Sequence, residues 1–119
     1  MAKIKVVGIG GSGGNAVSRM KKCHLRNVEL IAFNTDVQDL DRTRADLKFQ
    51  IGQKITQGLG AGMNPEIGEK AAIESQGVIL EALKGADLVF IAGGEGGGTF
   101  TGAAPIVAKT AKDLGALTI

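Results

Sequence analysis

Two glycine-rich runs, each directly after a short apolar segment, are the residues of this sequence best suited to chemistry. The first run covers residues 8–14 and follows residues 4–7, which are apolar except for Lys5, and the second covers residues 93–102 and follows apolar residues 88–92. Glycine lets the backbone approach a ligand closely, and a helix that starts there offers free N–H groups and a positive dipole end. Each run therefore predicts a phosphate-binding loop. Two such loops at the ends of neighbouring strands indicate one nucleotide held by both.

The first run contains the motif G-x-G-x-x-G, formed by Gly8, Gly10 and Gly13. After a strand and before a helix, this motif is moderately typical of a dinucleotide-binding fold. Asp36 is then a candidate to bind a ribose, but it is equally a candidate helix cap for the residues that follow it. No G-K-[ST] pattern follows the glycines, so a phosphate here would be held by backbone N–H groups rather than by a lysine.

The second run opens a helical pattern with two hydroxyl side chains, Thr99 and Thr101. These threonines are candidate helix caps, or candidate contacts to phosphate and to metal-bound water. A flexible linker is the alternative interpretation, which the strand before the run and the helix after it disfavour. Glycine costs roughly 1 kcal/mol of stability relative to alanine in regular structure. A glycine run at a helix start therefore indicates that the backbone there needs a conformation, or a close approach to a ligand, that side chains would prevent.

Composition limits the classes of protein to which this chain can belong. It has 119 residues, a net charge of +2, and neither Trp nor Tyr. Dispersed basic residues and scarce aromatic rings argue against nucleic-acid binding. The single Cys23 cannot form a disulfide within the chain, and we find neither a signal peptide nor a long apolar run. We therefore expect a cytoplasmic protein with no direct membrane insertion.

Strand patterns alternate with helix patterns along the chain. We predict strands at residues 3–7, 29–33, 47–51 and 88–92, the start of a fifth strand at 117–119, and helices between them. This order predicts an α/β fold, a Rossmann-like three-layer parallel sheet with helices on both faces, truncated after the start of the fifth strand. Because the carboxyl ends of parallel strands share one edge, all the glycine loops and residues 34–36 are expected to meet there.

A third glycine-rich loop, residues 58–65, opens the clearest helix pattern of the chain. Asn64 is a good N-cap, Pro65 suits the first turn, and Gly85 is placed to end the helix, so one helix is predicted between Asn64 and Gly85. The other helices are predicted from Asn15 to about residue 22, within residues 37–46, and after the second glycine run to about residue 114.

Residues 94–105, GEGGGTFTGAAP, resemble the tubulin/FtsZ family signature, in which GGGTGTG precedes AAP. Further segments similar to the family follow its order and approximate spacing: residues 4–17, 34–36, 58–62, 64–68 and 82–87. The resemblance covers essentially the whole chain. It implies that residues 1–119 are an incomplete N-terminal GTP-binding domain.

The resemblance also implies a function. We expect the GTP-binding segment of a bacterial tubulin-like cell-division protein, cytoplasmic at the division site, with GTP or GDP and Mg²⁺ as ligands. Its expected partners are further copies of itself, in a head-to-tail filament, and other division proteins. Family members hydrolyse GTP between subunits, using carboxylates on a loop of the neighbour. That loop would lie beyond residue 119, so we assign no catalytic residue and expect no hydrolysis by this segment alone.

Site residues follow from matching positions in the family. Gly11 to Asn15 would hold the diphosphate, Gly98 to Phe100 would cradle phosphates from the other side, Ala61 and Gly62 would lie near the γ-phosphate, and Thr35 and Asp36 near the phosphates and Mg²⁺. No metal ligand is assigned. The complete predicted set is Gly10, Gly11, Ser12, Gly13, Gly14, Asn15, Thr35, Asp36, Ala61, Gly62, Gly96, Gly97, Gly98, Thr99, Phe100 and Thr101.

Three residues depart from the family pattern: Phe100 and Met63 replace glycines, and Glu95 replaces an apolar residue. The second hypothesis, based on the first glycine motif and Asp36, is the NAD-binding Rossmann domain of an oxidoreductase, which leaves the second glycine run unexplained. The third hypothesis, kept open by Phe100 and Glu95, is a tubulin-like interaction module that has lost nucleotide binding. If the second run cradles phosphate, Phe100 must turn its ring away, and Phe100→Gly is expected to tighten nucleotide binding or leave it unchanged.

Overall fold

The computed structural model describes residues 1–94 and 97–119. Five strands form one sheet: β1 (Ile4–Ile9), β2 (Val28–Asn34), β3 (Leu47–Gln50), β4 (Leu88–Ala92) and β5 (Leu117–Thr118). Their order across the sheet is β3-β2-β1-β4-β5, and every neighbouring pair is parallel. The chain runs outward from β1 to one edge and then returns to build the other half, so β1 and β4 are adjacent at the point where the order reverses.

Six helices connect the strands in the described part of the chain: α1 (Gly10–Lys21), α2 (Val37–Arg42), α3 (Gln53–Thr56), α4 (Pro65–Glu74), α5 (Gln76–Leu83) and α6 (Gly98–Asp113). Among the residues described, none of these helices is long and apolar enough to cross a membrane.

Alternate strand residues pack on opposite faces of the sheet. Val7, Ile31 and Phe33 belong to the larger apolar cluster, with residues of α4, α5 and α6. Val6 and Leu30, one position away, belong to a second cluster with residues of α1 and α2. Because strand side chains alternate in direction, a parallel sheet that is apolar at successive positions must be covered on both sides. The predicted three-layer α/β fold is confirmed.

The single helix predicted between Asn64 and Gly85 is interrupted, and tertiary contacts explain the break. Ser75 has φ −104° and ψ 22°, outside helical geometry, and separates α4 from α5. Its hydroxyl accepts a hydrogen bond from Gly52 N at 2.9 Å. The carboxylate of Glu74 accepts from Lys54 N and Ile55 N at 3.0 and 3.1 Å, so the end of α4 caps the first turn of α3.

The first helix starts earlier than its sequence pattern predicts. We predicted a start at Asn15, but α1 begins at Gly10, so the glycine run itself forms the first turn. Two of its glycines are required by packing. A Cβ on Gly13 would lie 2.5 Å from Ala92 O, and one on Gly14 would lie 2.7 Å from Thr43 Oγ1. The missing side chains let α1 approach both the sheet and α2.

Candidate functional site

All three glycine-rich segments meet at one cavity of about 260 Å³ beyond the carboxyl ends of β1, β2 and β4. This is the sheet edge at which parallel α/β folds bind ligands. The lining residues are Ile9, Gly10, Gly11, Ser12, Asn34, Asp36, Asp39, Gly60, Ala61, Gly62, Met63, Gly94, Gly97, Gly98, Thr99 and Phe100.

Helix α6 begins at this cavity with free backbone donors. Its N-cap is Gly97, which has no side chain to cap the helix, and its first intrahelical hydrogen bond runs from Thr101 N to Gly97 O at 3.0 Å. The N–H groups of Gly98, Thr99 and Phe100 precede that bond and have no acceptor within the helix. In a helix of sixteen residues, they also carry the positive end of the dipole.

Helix α1 begins at the same cavity, beside α6. Gly10 has φ +76°, and a Cβ built on it would lie 3.7 Å from both Phe100 N and Thr99 Cβ. This is where the two predicted phosphate loops come together. The N-cap residue Ile9 makes no side-chain hydrogen bond to the helix in the described structure. In the described part of the chain, two adjacent helix starts therefore present to one cavity N–H groups that have no acceptor within their own helix, an arrangement suited to an anion.

Asn34 supplies an independent sign of a ligand. The residue lines the cavity and is 3% exposed, and its side-chain Oδ1 accepts a hydrogen bond from Asp36 N at 3.1 Å. An amide nitrogen cannot accept, so this bond defines which terminal atom is the oxygen. The remaining atom, Nδ2, is buried and finds no partner within residues 1–94 and 97–119. Leaving such a donor unpaired costs about 1–3 kcal/mol, which a ligand oxygen would recover.

Thr99, a residue of the cavity lining, contacts Thr35. Both are buried, and their hydroxyl oxygens lie 3.1 Å apart. Thr99 lines the cavity, whereas Thr35 is fully buried and does not. The structure thus gives Thr35 a supporting contact to Thr99, and the predicted contact of Thr35 with phosphate or Mg²⁺ stays a prediction.

Among the described lining residues, Asp36 and Asp39 carry carboxylates. Asp36 Oδ1 accepts from Asp39 N at 3.1 Å and caps α2, so the capping interpretation of Asp36 is confirmed while the residue also reaches the site. Asp39 forms an ion pair with Arg42. A Cβ on Gly11 would lie 3.3 Å from Asp39 Oδ2, and one on Gly60 would lie 3.7 Å from Asp36 Oδ2. The carboxylates therefore lie directly against two of the glycine loops.

The charges in the site suit an anion together with a divalent cation. The lining, as far as it is described, contains no Lys or Arg, so the available donors to an anion are backbone N–H groups, Asn34 and the hydroxyl groups of Ser12 and Thr99. Asp36 and Asp39 supply carboxylate oxygens, which Mg²⁺ prefers, and Mg²⁺ is commonly held by one or two carboxylates plus phosphate oxygens. Within the part of the chain described, no cluster of three or more His, Cys, Asp or Glu residues could hold a metal by itself. The donor set fits Mg²⁺ only in company with a phosphate.

The third glycine loop closes one side of the cavity through Ala61, Gly62 and Met63. Met63 has φ +62°, a conformation that glycine adopts readily and other residues seldom do. Its neighbour Asn64 caps α4 by accepting from Glu66 N at 3.0 Å, as the sequence predicted. The loop is packed against α6, because a Cβ on Gly98 would lie 2.5 Å from Asn64 N.

The structure brings ten of the predicted site residues into the cavity lining: Gly10, Gly11, Ser12, Asp36, Ala61, Gly62, Gly97, Gly98, Thr99 and Phe100. Gly13 and Gly14 make the packing contacts of α1, Asn15 is exposed, and Thr101 lines a separate apolar groove. Their roles toward a ligand stay predictions. Gly96 and Glu95 lie outside the described residues.

The predicted set of site residues left out Asn34, although residues 34–36 were expected at the ligand edge, and it also left out Asp39. Asn34 is the last residue of the buried strand β2, and polar residues at that position reach the ligand edge of a parallel sheet. That position was the available signal for Asn34. Asp39 carried no comparable signal, because only the turn of α2 brings it beside Gly11.

Comparisons with known proteins agree with this geometry. A family model described as "Tubulin/FtsZ family, GTPase domain" matches residues 3–119. A mutant FtsZ from M. jannaschii superposes with a TM-score of 0.96 at 52% identity, covering 99% of this chain and 36% of that one. An empty FtsZ dimer from M. jannaschii gives 0.95 at 52% identity, covering 98% and 34%.

A more distant structure, a GTPγS-bound protofilament of CetZ2 from Haloferax volcanii, gives a TM-score of 0.79 at 30% identity, covering 90% of this chain and 35% of that one. The chain thus spans about a third of the length of the solved structures that it matches.

Proposed function

The chain belongs to the tubulin/FtsZ family, and we propose that it binds GTP or GDP at the cavity between α1 and α6. The observation that carries this proposal is the buried Nδ2 of Asn34, a donor with no partner in the described structure, beside two adjacent helix starts. A phosphate group offers oxygen acceptors for all of these donors at once. The family match is the independent support for a guanine nucleotide.

Each element of the site has a proposed role. The N–H groups at the start of α1 and α6 bind the phosphates from two sides, and Asn34 Nδ2 donates to a phosphate oxygen. Asp36 and Asp39 hold Mg²⁺ together with the phosphates. When bound, the ion supplies positive charge that offsets the charge of the phosphate oxygens. Without it, the two carboxylates would repel a triphosphate, so we expect binding to depend on Mg²⁺.

The proposal extends to assembly and hydrolysis in the whole protein. We propose that copies associate head to tail and that GTP is hydrolysed between them, with water-activating carboxylates supplied by the neighbour. Support comes from family membership and from two of the similar structures, one of them a dimer and another a protofilament. A bacterial origin, a role in cell division with other division proteins, and a cytoplasmic location at the division site stay predictions from the resemblance to FtsZ.

Competition binding tests the nucleotide proposal. We would titrate the chain with GTP, GDP and NAD in the presence of Mg²⁺ and compare affinities. Asn34→Asp keeps the size of the side chain, removes the donor and adds a negative charge. Loss of a hydrogen bond to a charged group, about 1.5–3 kcal/mol, predicts GTP binding weakened about 10-fold to 100-fold.

Asn27→Asp is the matched control, because it makes the same chemical change just before β2, at the opposite end of that strand. It should leave GTP affinity as in the wild type. Tighter binding of NAD than of GTP, or equal affinities for the Asn34→Asp and Asn27→Asp variants, would contradict the proposed function.

A further inference from the structure

Phe100, which stands where the family signature has glycine, packs its ring on the end of β4. A methyl group built on Gly93 would overlap three ring atoms of Phe100, namely Cγ, Cδ1 and Cε1. The ring therefore lies directly on the Cα of Gly93 and occupies the space of a side chain there. Phe100 is half-buried and also contacts the larger apolar cluster.

The main chain of Phe100 faces the other glycine loop. Its nitrogen lies 3.7 Å from the position of a Cβ on Gly10, at the end of β1. Strands β1 and β4 are hydrogen-bonded neighbours, with Gly8 opposite Ala92 at their carboxyl ends. Phe100 thus packs its ring against the end of β4 and directs its backbone nitrogen toward the end of β1.

Phe100 borders two spaces. It lines the 260 Å³ cavity described above and an apolar groove of about 670 Å³, which Ile91, Ala104 and Ile119 also line. Removing the ring would remove the contact that it makes with Gly93 from the first turn of α6.

We propose that Phe100 is a positioning residue: its ring, packed on Gly93, holds the first turn of α6 so that the N–H groups of Gly98, Thr99 and Phe100 face the phosphates. This inference rests on the proposed function. Phe100 and Gly93 act as a pair, because an aromatic ring is accommodated at position 100 only where position 93 has no side chain. From the sequence, Phe100→Gly was expected to tighten nucleotide binding or leave it unchanged. We now expect Phe100→Gly to weaken nucleotide binding, because glycine would remove the ring that supports the first turn of α6.

The first test measures affinity for GDP in the presence of Mg²⁺, on samples shown to be folded. Because preorganisation of the binding groups is lost, Phe100→Ala should weaken GDP binding about tenfold. Phe100→Leu keeps an apolar side chain on Gly93 and should recover most of that loss. Ile106→Ala is the matched control, since Ile106 packs against the same apolar cluster from α6 without lining the cavity.

The second test needs no ligand. The amide of Thr101 donates to Gly97 O at 3.0 Å and reports on the first turn of α6. Its hydrogen exchange should be faster in Phe100→Ala than in Ile106→Ala. Gly93→Ala alone should also speed the hydrogen exchange of the Thr101 amide, because the added methyl group displaces the ring. In the Phe100→Ala background, where no ring occupies the space over Gly93, Gly93→Ala should add little.

The outcomes separate the two proposals. If the wild type binds GDP but Phe100→Ala matches Ile106→Ala in both affinity and Thr101 exchange, the positioning role is wrong and the nucleotide site stands. If the wild type binds neither GDP nor GTP, the proposed function is wrong, and the exchange data still decide whether the ring orders the α6 turn. Should Phe100→Ala fail to fold, Gly93→Ala, which displaces the ring, takes its place in both comparisons with Ile106→Ala.

Discussion

The hydroxyl oxygens of Thr35 and Thr99 lie 3.1 Å apart inside the protein. One residue follows β2 and the other belongs to the first turn of α6, so the contact joins two segments 64 positions apart in the chain. Because Thr99 lines the cavity and Thr35 does not, Thr35 supports Thr99 from outside the cavity lining.

Thr99→Val tests this contact. Valine has nearly the same shape but no hydroxyl, so Thr35 would be left with a buried, unpaired group, at a cost of about 1–3 kcal/mol of unfolding free energy. The double variant Thr35→Val/Thr99→Val should lose less than the sum of the single variants, since both partners are then apolar. Urea unfolding measures these differences. Strict additivity of the two substitutions would show that the hydroxyls do not interact.

Met63→Gly should raise stability slightly. Met63 has φ +62° and is 77% exposed, so its side chain contributes little packing while its backbone is strained. Relief of about 1–2 kcal/mol is partly offset by the greater freedom of glycine in the unfolded chain, about 0.5–1 kcal/mol. Leu59→Gly is the control, an exposed residue of the same loop without a positive φ, and it should be destabilising. If Leu59→Gly unfolds at a higher temperature than Met63→Gly, the proposed backbone strain at Met63 is wrong.

Gly102→Ala and Gly77→Ala should have opposite effects. A Cβ on Gly102 would overlap backbone atoms of Pro65 and Glu69, because α4 and α6 are in close contact. Backbone cannot move aside cheaply, so we expect a loss of about 1–3 kcal/mol or more. Gly77 lies in α5 with nothing within 4 Å of its Cβ position, and alanine there should add about 0.5–1 kcal/mol. Chemical denaturation of both variants gives the signs directly.

Asp46 should make stability depend on acid pH. The hydrogen bond from Lys21, followed by that from Leu30 N, lowers the pKa of Asp46 below its ordinary value of 3.8, against the opposing effect of burial. A carboxyl whose pKa is lowered by folding contributes stability above pH 3.8 and loses it as the pH falls through the lowered value.

Asp46→Asn should therefore reduce the unfolding free energy at pH 7, and its difference from the wild type should shrink below pH 3.8. Asp113→Asn removes only an exposed ion pair with Lys109 and should change the unfolding free energy at pH 7 by no more than about 0.5 kcal/mol. If the unfolding free energies of the wild type and Asp46→Asn differ by the same amount from pH 7 to pH 2, the lowered pKa of Asp46 does not contribute to stability.

The chain by itself should show no GTP turnover. The carboxylates that activate water in the family are expected on a neighbouring subunit, and positioned acid–base groups contribute about 10²-fold to 10⁴-fold in rate. Phosphate release from Mg²⁺-GTP at high protein concentration should equal that of a buffer blank. Release well above the blank that disappears in Asn34→Asp would show that the residues described here suffice for hydrolysis.

The sequence alone determined the class of fold and the location of the site. The apolar run at residues 30–33 is continuous because both faces of that parallel strand are buried, and the glycine runs that follow residues 4–7 and 88–92 mark the ligand edge. Asn64 and Pro65 likewise identified the start of α4, because caps depend on local geometry that neighbouring residues specify.

Tertiary structure decided which of those residues face the cavity. Gly13 and Gly14 belong to the same glycine run as Gly10, yet they serve the packing of α1 against Ala92 and Thr43. The helical turn separates them from the ligand side, and sequence spacing alone does not show where the sheet lies. The break at Ser75 and the ring of Phe100 on Gly93 depend on partners far along the chain, so only the folded arrangement reveals them.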